Sequence, residues 1–230
     1  MLARKSPAKQ LKKFHLYDQF RRYNYIYIHI PKTGGISVSK RLMGFAVGHK
    51  SISEYFANDP FFSEKAFKFS LVRHPFTRFR STYFYLVNGG MNLKDQNLGR
   101  ELFSLFPTFE CFCDGIGSDD FMQIYSICVH LRHQYKFLVM DSRPGSIAMS
   151  YVGRLEALDE FWEVVSSCVP LLPTRDPGVM NSTHYSMPDV RQASLPQSQS
   201  SFPERLVSKV CDFYEKDMCL FSYNSSDWTL

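Results

Sequence analysis

The chain has 230 residues, of which 44% are hydrophobic and 21% charged. This is enough to build one large α/β domain with a sizeable core. These proportions exclude the disordered, collagen-like and coiled-coil classes. The sequence contains no apolar run of about 18 residues, so we expect no membrane-spanning helix. The first residues are polar and basic, so we also expect no cleaved secretory signal.

The net charge of +5 is concentrated at the N-terminus, where residues 1–24 hold seven basic residues and one acidic residue. Residues 25–230 carry a net charge of −1. We therefore predict a basic N-terminal arm over 1–24 and a folded domain over 25–230. Such an arm can bind nucleic acid, an anionic membrane or an acidic polymer, or it can be a solvated leader with no partner. The near-neutral composition of the domain does not indicate a nucleic-acid partner.

The predicted elements alternate between strands and helices along the chain. The pattern predicts strands over 25–30, 67–72, 135–139 and 147–152, and helices over 36–43, 75–87, 158–168 and 204–217. Residues 91–123 give no clear assignment. The segment 173–203 contains five prolines and many serines, which predicts a long irregular loop within the domain. Repeated strand–turn–helix units predict a single-domain α/β fold with a mostly parallel sheet flanked by helices.

The first predicted strand leads into a glycine-containing turn and then a helix. The turn reads Pro31-Lys32-Thr33-Gly34-Gly35-Ile36-Ser37. Adjacent glycines let the backbone fold tightly with its N–H groups turned inward, and the helix start adds a positive end, so this turn can cradle an anion. Lys32 adds a charge, and Thr33 and Ser37 add hydroxyl groups. A Walker A loop does not align, because the lysine precedes the glycines. A tight strand–helix connection without a ligand is the structural alternative.

The second predicted strand ends at Arg73, within the stretch Val72-Arg73-His74-Pro75-Phe76-Thr77-Arg78-Phe79-Arg80-Ser81-Thr82-Tyr83. Ligands of open α/β sheets bind at the carboxyl ends of strands. Ser81 lies eight residues further on, about two helical turns away. An arginine and a serine that converge on one phosphate would form a charge-assisted binding site. A solvated basic helix face is the alternative interpretation.

Together, in this order and at this spacing, the two stretches resemble the sulfotransferases that use 3′-phosphoadenosine-5′-phosphosulfate, in particular the carbohydrate (family 2) type. Residues 27–35 are similar to the 5′-phosphosulfate loop of that family, and residues 72–83 to its 3′-phosphate motif, V-R-x-P-x-x-R-x-x-S-x-Y. Residues 152–158 resemble its V-G-R-x-E-x-L stretch, and residues 214–217 with 221–223 resemble its tail. The resemblance covers about residues 25 to 223.

This resemblance implies a P-loop-kinase-like sulfotransferase fold and transfer of a sulfuryl group to a hydroxyl of an acceptor, a carbohydrate in this family. Lys32 would act in catalysis and would also bind the donor. The remaining donor-binding residues implied are Thr33, Gly34, Gly35, Ile36 and Ser37 for the 5′ phosphosulfate, and Arg73 with Ser81 for the 3′ phosphate. The product would be 3′-phosphoadenosine-5′-phosphate, and no metal is expected.

The sequence departs from the family pattern in two respects. Ile36 stands where the family usually has a hydroxyl residue, which removes one donor to the 5′ phosphate and predicts weaker contacts there. The basic arm and the lack of a membrane anchor differ from the animal Golgi members. They suggest a soluble, bacterial, cytoplasmic protein whose arm contacts a membrane surface peripherally.

A general base is needed because an alcohol is a poor nucleophile until a neighbouring group accepts its proton. Carbohydrate members of the family carry a Gly-His pair after the first helix, and here Gly48-His49 is similar. We therefore expect His49 to be the catalytic base. A loop histidine bonded to backbone is the structural alternative, and Glu54 is the alternative base nearest in sequence. We interpret His29 and His74 as structural.

A metal site is a competing interpretation of Cys111, Cys113, Cys128, His130 and His133. Their C-x-C and H-x-x-H spacings fit zinc-finger patterns poorly, and sulfuryl transfer needs no metal, so we expect buried free thiols instead. By resemblance, Gln134 would line the acceptor cleft.

Two rival functions remain: a nucleotide kinase, and a non-catalytic protein that binds a nucleotide or polyanion on a sulfotransferase-like fold.

Overall fold

The computed structural model describes residues 18–169 and 202–229. The first 17 residues of the predicted arm and residues 173–201 of the predicted loop lie outside this range. The described chain divides into two compact units. The first comprises residues 18–30, 34–72 and 137–169, and the second comprises residues 31–33, 73–136 and 202–229.

The first unit contains a parallel sheet. The strands are β1 (Tyr25–Ile28), β2 (Phe67–Val72), β3 (Val139–Met140), β4 (Arg143–Ile147) and β5 (Tyr151–Arg154). Strands β1, β2 and β5 pair in parallel in that order, with Ile28 beside Ser70 and Val72 beside Arg154. All four residues of β1 are buried, as expected for a strand covered on both faces. The predicted parallel sheet flanked by helices is thus confirmed in the described chain, with three strands.

The helices are mostly short. They are α1 (Gly35–Met43), α2 (Ile52–Asn58), α3 (Pro60–Lys65), α4 (Pro75–Val87), α5 (Leu93–Leu105), α6 (Phe109–Asp114), α7 (Asp119–Ile127), α8 (Tyr135–Leu138), α9 (Leu158–Cys168), α10 (Glu204–Phe213) and α11 (Glu215–Leu220), with 3₁₀ turns at Leu155–Ala157 and Asp227–Thr229. Residues 18–23 are also helical. No helix over 18–169 or 202–229 combines the length and apolar character needed to cross a bilayer.

Local capping explains where several helices begin. The helices predicted over 75–87 and 158–168 are confirmed with those bounds as α4 and α9. The segment without a clear assignment, 91–123, forms α5, α6 and most of α7. Each of these begins after a side chain that accepts the backbone N–H three residues later, from Asn92, Thr108 and Ser118 respectively. Such caps stabilise helices whose apolar periodicity is weak.

The strand predicted over 135–139 is wrong, because Tyr135–Leu138 is the helical turn α8. The Asp217 carboxylate accepts the backbone N–H groups of Gln134 and Tyr135 at 2.8 and 2.9 Å. This cap comes from 82 residues away in sequence, and it satisfies donors that a helix start otherwise leaves open.

The prediction of one continuous strand over 147–152 is wrong, because the two ends of this segment belong to two different strands. Ile147 ends β4, which pairs antiparallel with β3, whereas Tyr151 begins β5 in the parallel sheet. Between them, the Ala148 N–H donates to the Leu138 carbonyl and the Ser150 N–H donates to the Lys68 carbonyl. The backbone therefore changes sheets within three residues.

Two boundaries near the chain ends also differ from the sequence prediction. The helix predicted over 204–217 ends at Phe213, and Glu215 begins α11. At the other end, Phe20 falls within the predicted basic arm, yet its side chain is wholly buried, with its ring centroid 5.2 Å from that of Tyr25. Phe20 of that arm is therefore packed in the first unit.

Candidate active site

The turn that follows β1 has a constrained backbone. Lys32 and Gly34 have φ values of +67° and +77°, in the left-handed region that only glycine enters without cost. A Cβ on Gly35 would lie 1.9 Å from Cδ2 of His29, so only glycine fits there. Gly34 precedes α1 and has no side chain with which to cap its first N–H groups. This is the backbone arrangement that binds anions at helix starts.

The side chain of Lys32 is half-buried in the second unit, and its Nζ lies 4.0 Å from the ring centroid of Tyr85. Burial and the neighbouring charge of Arg73 lower the pKa of Lys32 to about 8, against the opposing effect of Asp95. Lysine at this position is therefore a cation that can lose its proton within the working range of many enzymes.

Asp95 is the buried anion of this group and is only 6% exposed. Its Oδ2 accepts hydrogen bonds of 2.6 Å from both the Tyr85 hydroxyl and the Asn92 amide, and Nε2 of His130 lies 3.4 Å from its Oδ1. Burial opposes ionisation of Asp95, but His130 and these hydrogen bonds outweigh it and lower the pKa to about 2. The carboxylate is therefore charged at neutral pH.

Arg73 is held mainly through its backbone. The Gln134 side chain accepts the Arg73 N–H at 3.0 Å and donates to its carbonyl at 2.8 Å. Gln134 is itself completely buried and tied by its own N–H to Asp217. The expectation that Gln134 lines an acceptor cleft is therefore wrong, because both polar atoms of its buried side-chain amide bond to the Arg73 backbone.

The guanidinium of Arg73 lies along the first turns of α4. Its Nε donates to the Thr77 hydroxyl at 3.0 Å, and its Nη1 reaches the Lys32 carbonyl at 3.4 Å. Ser81 is half-buried and lies four residues beyond Thr77, which places it on the same face of the helix, one turn further on. Ser81 is therefore on the same helix face as Thr77, the side chain that the Arg73 guanidinium contacts.

Two other positions of the same motif are structural. Arg78 is 1% exposed and donates to the carbonyls of His130 and Arg132 at 2.9 and 2.8 Å. The Tyr83 hydroxyl donates to the Phe106 carbonyl at 3.0 Å. Both side chains tie α4 to neighbouring segments of the second unit.

His49 lies in the first unit, beside the end of β1. Its Nδ1 is 3.0 Å from the His29 carbonyl, and the two imidazole centroids are 4.3 Å apart. A carbonyl only accepts hydrogen bonds, so Nδ1 carries the proton and Nε2 carries the lone pair in the neutral ring. The backbone bond expected of a structural histidine is thus present, and it also sets the tautomer that a general base needs.

The other histidines and Glu54 have local structural partners. Nδ1 of His29 bonds to the Val47 carbonyl at 2.8 Å. His74 accepts the Phe76 N–H as the N-cap of α4 and bonds through Nε2 to the Asn224 carbonyl. Glu54 closes a capping box with Ser51 at the start of α2. These contacts agree with the structural interpretation of His29 and His74, and they give Glu54 a role in the helix cap.

The cysteines and histidines considered for a metal site have separate surroundings. Cys113 and Cys128 are buried and Cys111 is exposed, while burial raises the pKa of Cys128 to about 11. His133 is partly buried, which lowers its pKa to about 4. Within the described ranges, no group of three or more His, Cys, Asp or Glu side chains is placed to hold a metal ion.

Sequence reasoning missed Tyr85, Asp95 and Asp217. The sequence pattern places Tyr85 in a helix and gives no assignment to the segment that contains Asp95. The Asn92-x-x-Asp95 spacing is that of an N-cap followed by an acidic residue in the first turn, which could have indicated a helix start there. Nothing in the local sequence indicates that Asp95 is buried.

Comparison with curated proteins and with solved structures finds no match. The sequence profile of the sulfotransferase family matches residues 15–224, nearly the whole chain. The matched range includes, in chain order, the turn after β1, His49 and Arg73. The chain belongs to the sulfotransferase family, which places it among the transferases.

Proposed function

We propose that this protein transfers a sulfuryl group from 3′-phosphoadenosine-5′-phosphosulfate to a hydroxyl of an acceptor, a glycan being the class that the family resemblance implies. The observation that supports this most is Lys32, a half-buried cation with a left-handed backbone in the turn between β1 and α1. When bound, the donor supplies the sulfuryl group and leaves as 3′-phosphoadenosine-5′-phosphate.

The residues of the turn fit a 5′ phosphosulfate. Gly34 and Gly35 allow a tight backbone, and the start of α1 provides N–H groups and the positive end of a helix dipole. We propose that Ile36 contributes only its backbone and that Ser37 adds a hydroxyl. Thr33 is wholly buried, so we propose that it shapes the turn and keeps its hydroxyl away from the donor.

Arg73 and Ser81 are proposed to bind the 3′ phosphate. A guanidinium makes charge-assisted hydrogen bonds to phosphate, and the Gln134 and Thr77 contacts restrict its position. Because AMP lacks a 3′ phosphate, this pair would distinguish the bisphosphate product from AMP.

The chemical step needs charge stabilisation and proton removal. As in phosphoryl transfer, positioning and electrostatics supply most of the rate. Lys32 would stabilise the charge that develops on the bridging oxygen as the nucleotide leaves. His49, with its Nδ1 proton held by the His29 carbonyl, would accept the acceptor's proton at Nε2.

The test is transfer of labelled sulfate from the donor to a panel of glycans, with binding of 3′-phosphoadenosine-5′-phosphate measured by calorimetry on the same preparations. His49→Ala should lower turnover by about 10²–10⁴-fold while bisphosphate affinity stays within about threefold of wild type. Glu54→Gln is the matched variant and should retain turnover. Near-normal turnover in His49→Ala would remove it from the mechanism, and tight bisphosphate binding without any transfer would favour a non-catalytic binding protein.

The basic arm is proposed to attract an anionic acceptor or membrane surface in a cytoplasmic protein. Residues 1–17 carry five basic residues and no acidic residue. Attraction of this kind weakens as salt screens the charges. Because Phe20 is part of the core, a truncation that tests this role should remove residues 1–17 and retain 18–24.

A further inference from the structure

Tyr85 separates a buried anion from the proposed catalytic lysine. One face of its ring lies 4.0 Å from Nζ of Lys32, and its hydroxyl donates to Oδ2 of Asp95 at 2.6 Å. All three residues belong to the second unit. The arrangement therefore runs from carboxylate to phenol to ammonium within one compact part of the chain.

We propose that Asp95 and Tyr85 are positioning residues that hold the Lys32 ammonium over the ring of Tyr85 and keep it protonated for sulfuryl transfer. The proposal depends on the proposed function, because it assigns a role to Lys32 in that reaction. Neither residue is proposed to contact the substrate.

The physical basis is the response of a phenol ring to its hydrogen-bond partner. Ammonium ions bind the negative face of an aromatic ring. A phenol that donates to a carboxylate gains electron density, so the same ring attracts a cation more strongly, as cooperative hydrogen-bond networks do in low-dielectric surroundings. Asp95 thereby acts on Lys32 through Tyr85, in addition to its direct charge.

The burial of Asp95 needs an explanation beyond the start of α5. The Asp95 backbone N–H is already capped by the Asn92 side chain at 3.0 Å, and acidic residues in first turns are ordinarily exposed, whereas this carboxylate is almost wholly buried. Asn92, Tyr85 and His130 all direct polar atoms to it. These contacts keep a buried negative charge in place.

The charges that face Lys32 act in opposite directions. Burial and Arg73 disfavour the protonated form of Lys32 and Asp95 favours it, and together they lower the pKa to about 8. Removing the Asp95 charge leaves burial and Arg73 unopposed, so the pKa of Lys32 should fall further. The sign of this effect is fixed by the geometry and does not depend on which acceptor is sulfated.

The experiment is competitive acetylation of the full-length protein by acetic anhydride as a function of pH, with the Lys32 peptide quantified by mass spectrometry. Asp95→Asn retains size and an acceptor oxygen for Tyr85 but removes the charge. It should move the Lys32 labelling midpoint down by about one pH unit. Asp114→Asn is the control, since Asp114 is an exposed partner of Arg205 in the same unit, and it should leave the midpoint unchanged.

Tyr85→Phe provides a second test if Asp95→Asn folds poorly. It keeps the ring under Lys32 but removes the hydroxyl link, so it should shift the midpoint down by less than Asp95→Asn. It should also lower kcat by about fivefold, and this loss should disappear when Lys32→Ala is already present. Unchanged midpoints in both variants, or an equal kcat loss in the Lys32→Ala background, would overturn the proposal.

The same labelling separates this proposal from the proposed function. Saturating 3′-phosphoadenosine-5′-phosphate should protect Lys32 in the wild-type protein if Lys32 binds the donor. A lack of protection combined with a shifted Asp95→Asn midpoint would contradict the role of Lys32 in donor binding and leave the Asp95–Tyr85–Lys32 coupling intact. Protection of Lys32 with an unshifted Asp95→Asn midpoint would support the role of Lys32 in donor binding and contradict the Asp95–Tyr85–Lys32 coupling.

Discussion

Lys32 and Arg73 are the two cations of the second unit that the proposed function uses, and the structure holds them in different ways. Arg73 is fixed by hydrogen bonds to uncharged side chains, Gln134 on its backbone and Thr77 on its Nε. Lys32 has a left-handed backbone, and its ammonium lies against the Tyr85 ring near a buried carboxylate. The position of Arg73 therefore depends on hydrogen-bond geometry, and the position of the Lys32 ammonium depends on nearby charge.

This difference predicts different responses to mutation and to pH. A cation held through its own backbone can lose its side chain without releasing the segment that carries it. A cation held by an aromatic face and a buried anion depends on charge. If the cation or the anion loses its charge, the interactions that hold the cation are lost. We therefore expect Arg73 to govern affinity and Lys32 to govern both turnover and its pH dependence.

Of these two cations, Lys32 has the larger expected effect, that of Lys32→Ala on turnover. Loss of a charge aimed at the developing negative charge of a transition state lowers kcat by about 10²–10³-fold. Binding of the bisphosphate should weaken as well, because the same charge acts on the bound donor. The assay is labelled sulfate transfer with calorimetry in parallel, and Lys94→Ala, an exposed lysine of α5, should match wild type in both. Wild-type turnover in Lys32→Ala would contradict the assignment.

Arg73→Ala should have a smaller effect, confined mostly to affinity. Loss of one charge-assisted contact costs about 1.5–3 kcal/mol, so the Kd for 3′-phosphoadenosine-5′-phosphate should rise by about 10- to 150-fold. The affinity for AMP should stay the same. Because Gln134 bonds to the Arg73 backbone, the variant should keep its fold, which thermal unfolding would check. Arg100→Ala, an exposed arginine of α5, is the matched control, and an equal loss of affinity for AMP would contradict the role of Arg73.

The smallest effect is an alkaline limb in the pH profile. The protonated form of Lys32 is the active one, so kcat/KM should fall as pH rises through about 8, by about tenfold per pH unit once the lysine is mostly neutral. The limb in kcat should lie at higher pH, because a bound phosphosulfate favours the charged lysine. Lys32→Arg should be slower but should lack this limb. An identical limb in that variant would assign it to another group.

The sequence predicted the elements that carry their own local signals. The strand over 67–72 and the helices ending at about 87 and about 168 agree with β2, α4 and α9. Pro75 in the first turn marks the start of α4. The turn after β1 was predicted because adjacent glycines after a strand have few structural uses.

The features that sequence missed depend on contacts distant in the chain. Asp217 caps α8 across 82 residues and so converts a predicted strand into a helical turn. Gln134 reaches across 61 residues to the backbone of Arg73. The Asp95 carboxylate contacts His130, which lies 35 residues away in sequence. Propensity and periodicity describe neighbours within a few residues, so such long-range caps and clusters lie outside what they can predict.

The close approach of Gly35 to His29 has a consequence for how the family motif tolerates change. The His29 ring fills the space where a Cβ of residue 35 would be, and the His29 carbonyl holds Nδ1 of His49. Any larger residue at position 35 must displace the His29 ring, whose centroid lies 4.3 Å from that of His49. A substitution at this glycine of the proposed phosphosulfate turn should therefore also disturb His49, the proposed base that serves the acceptor.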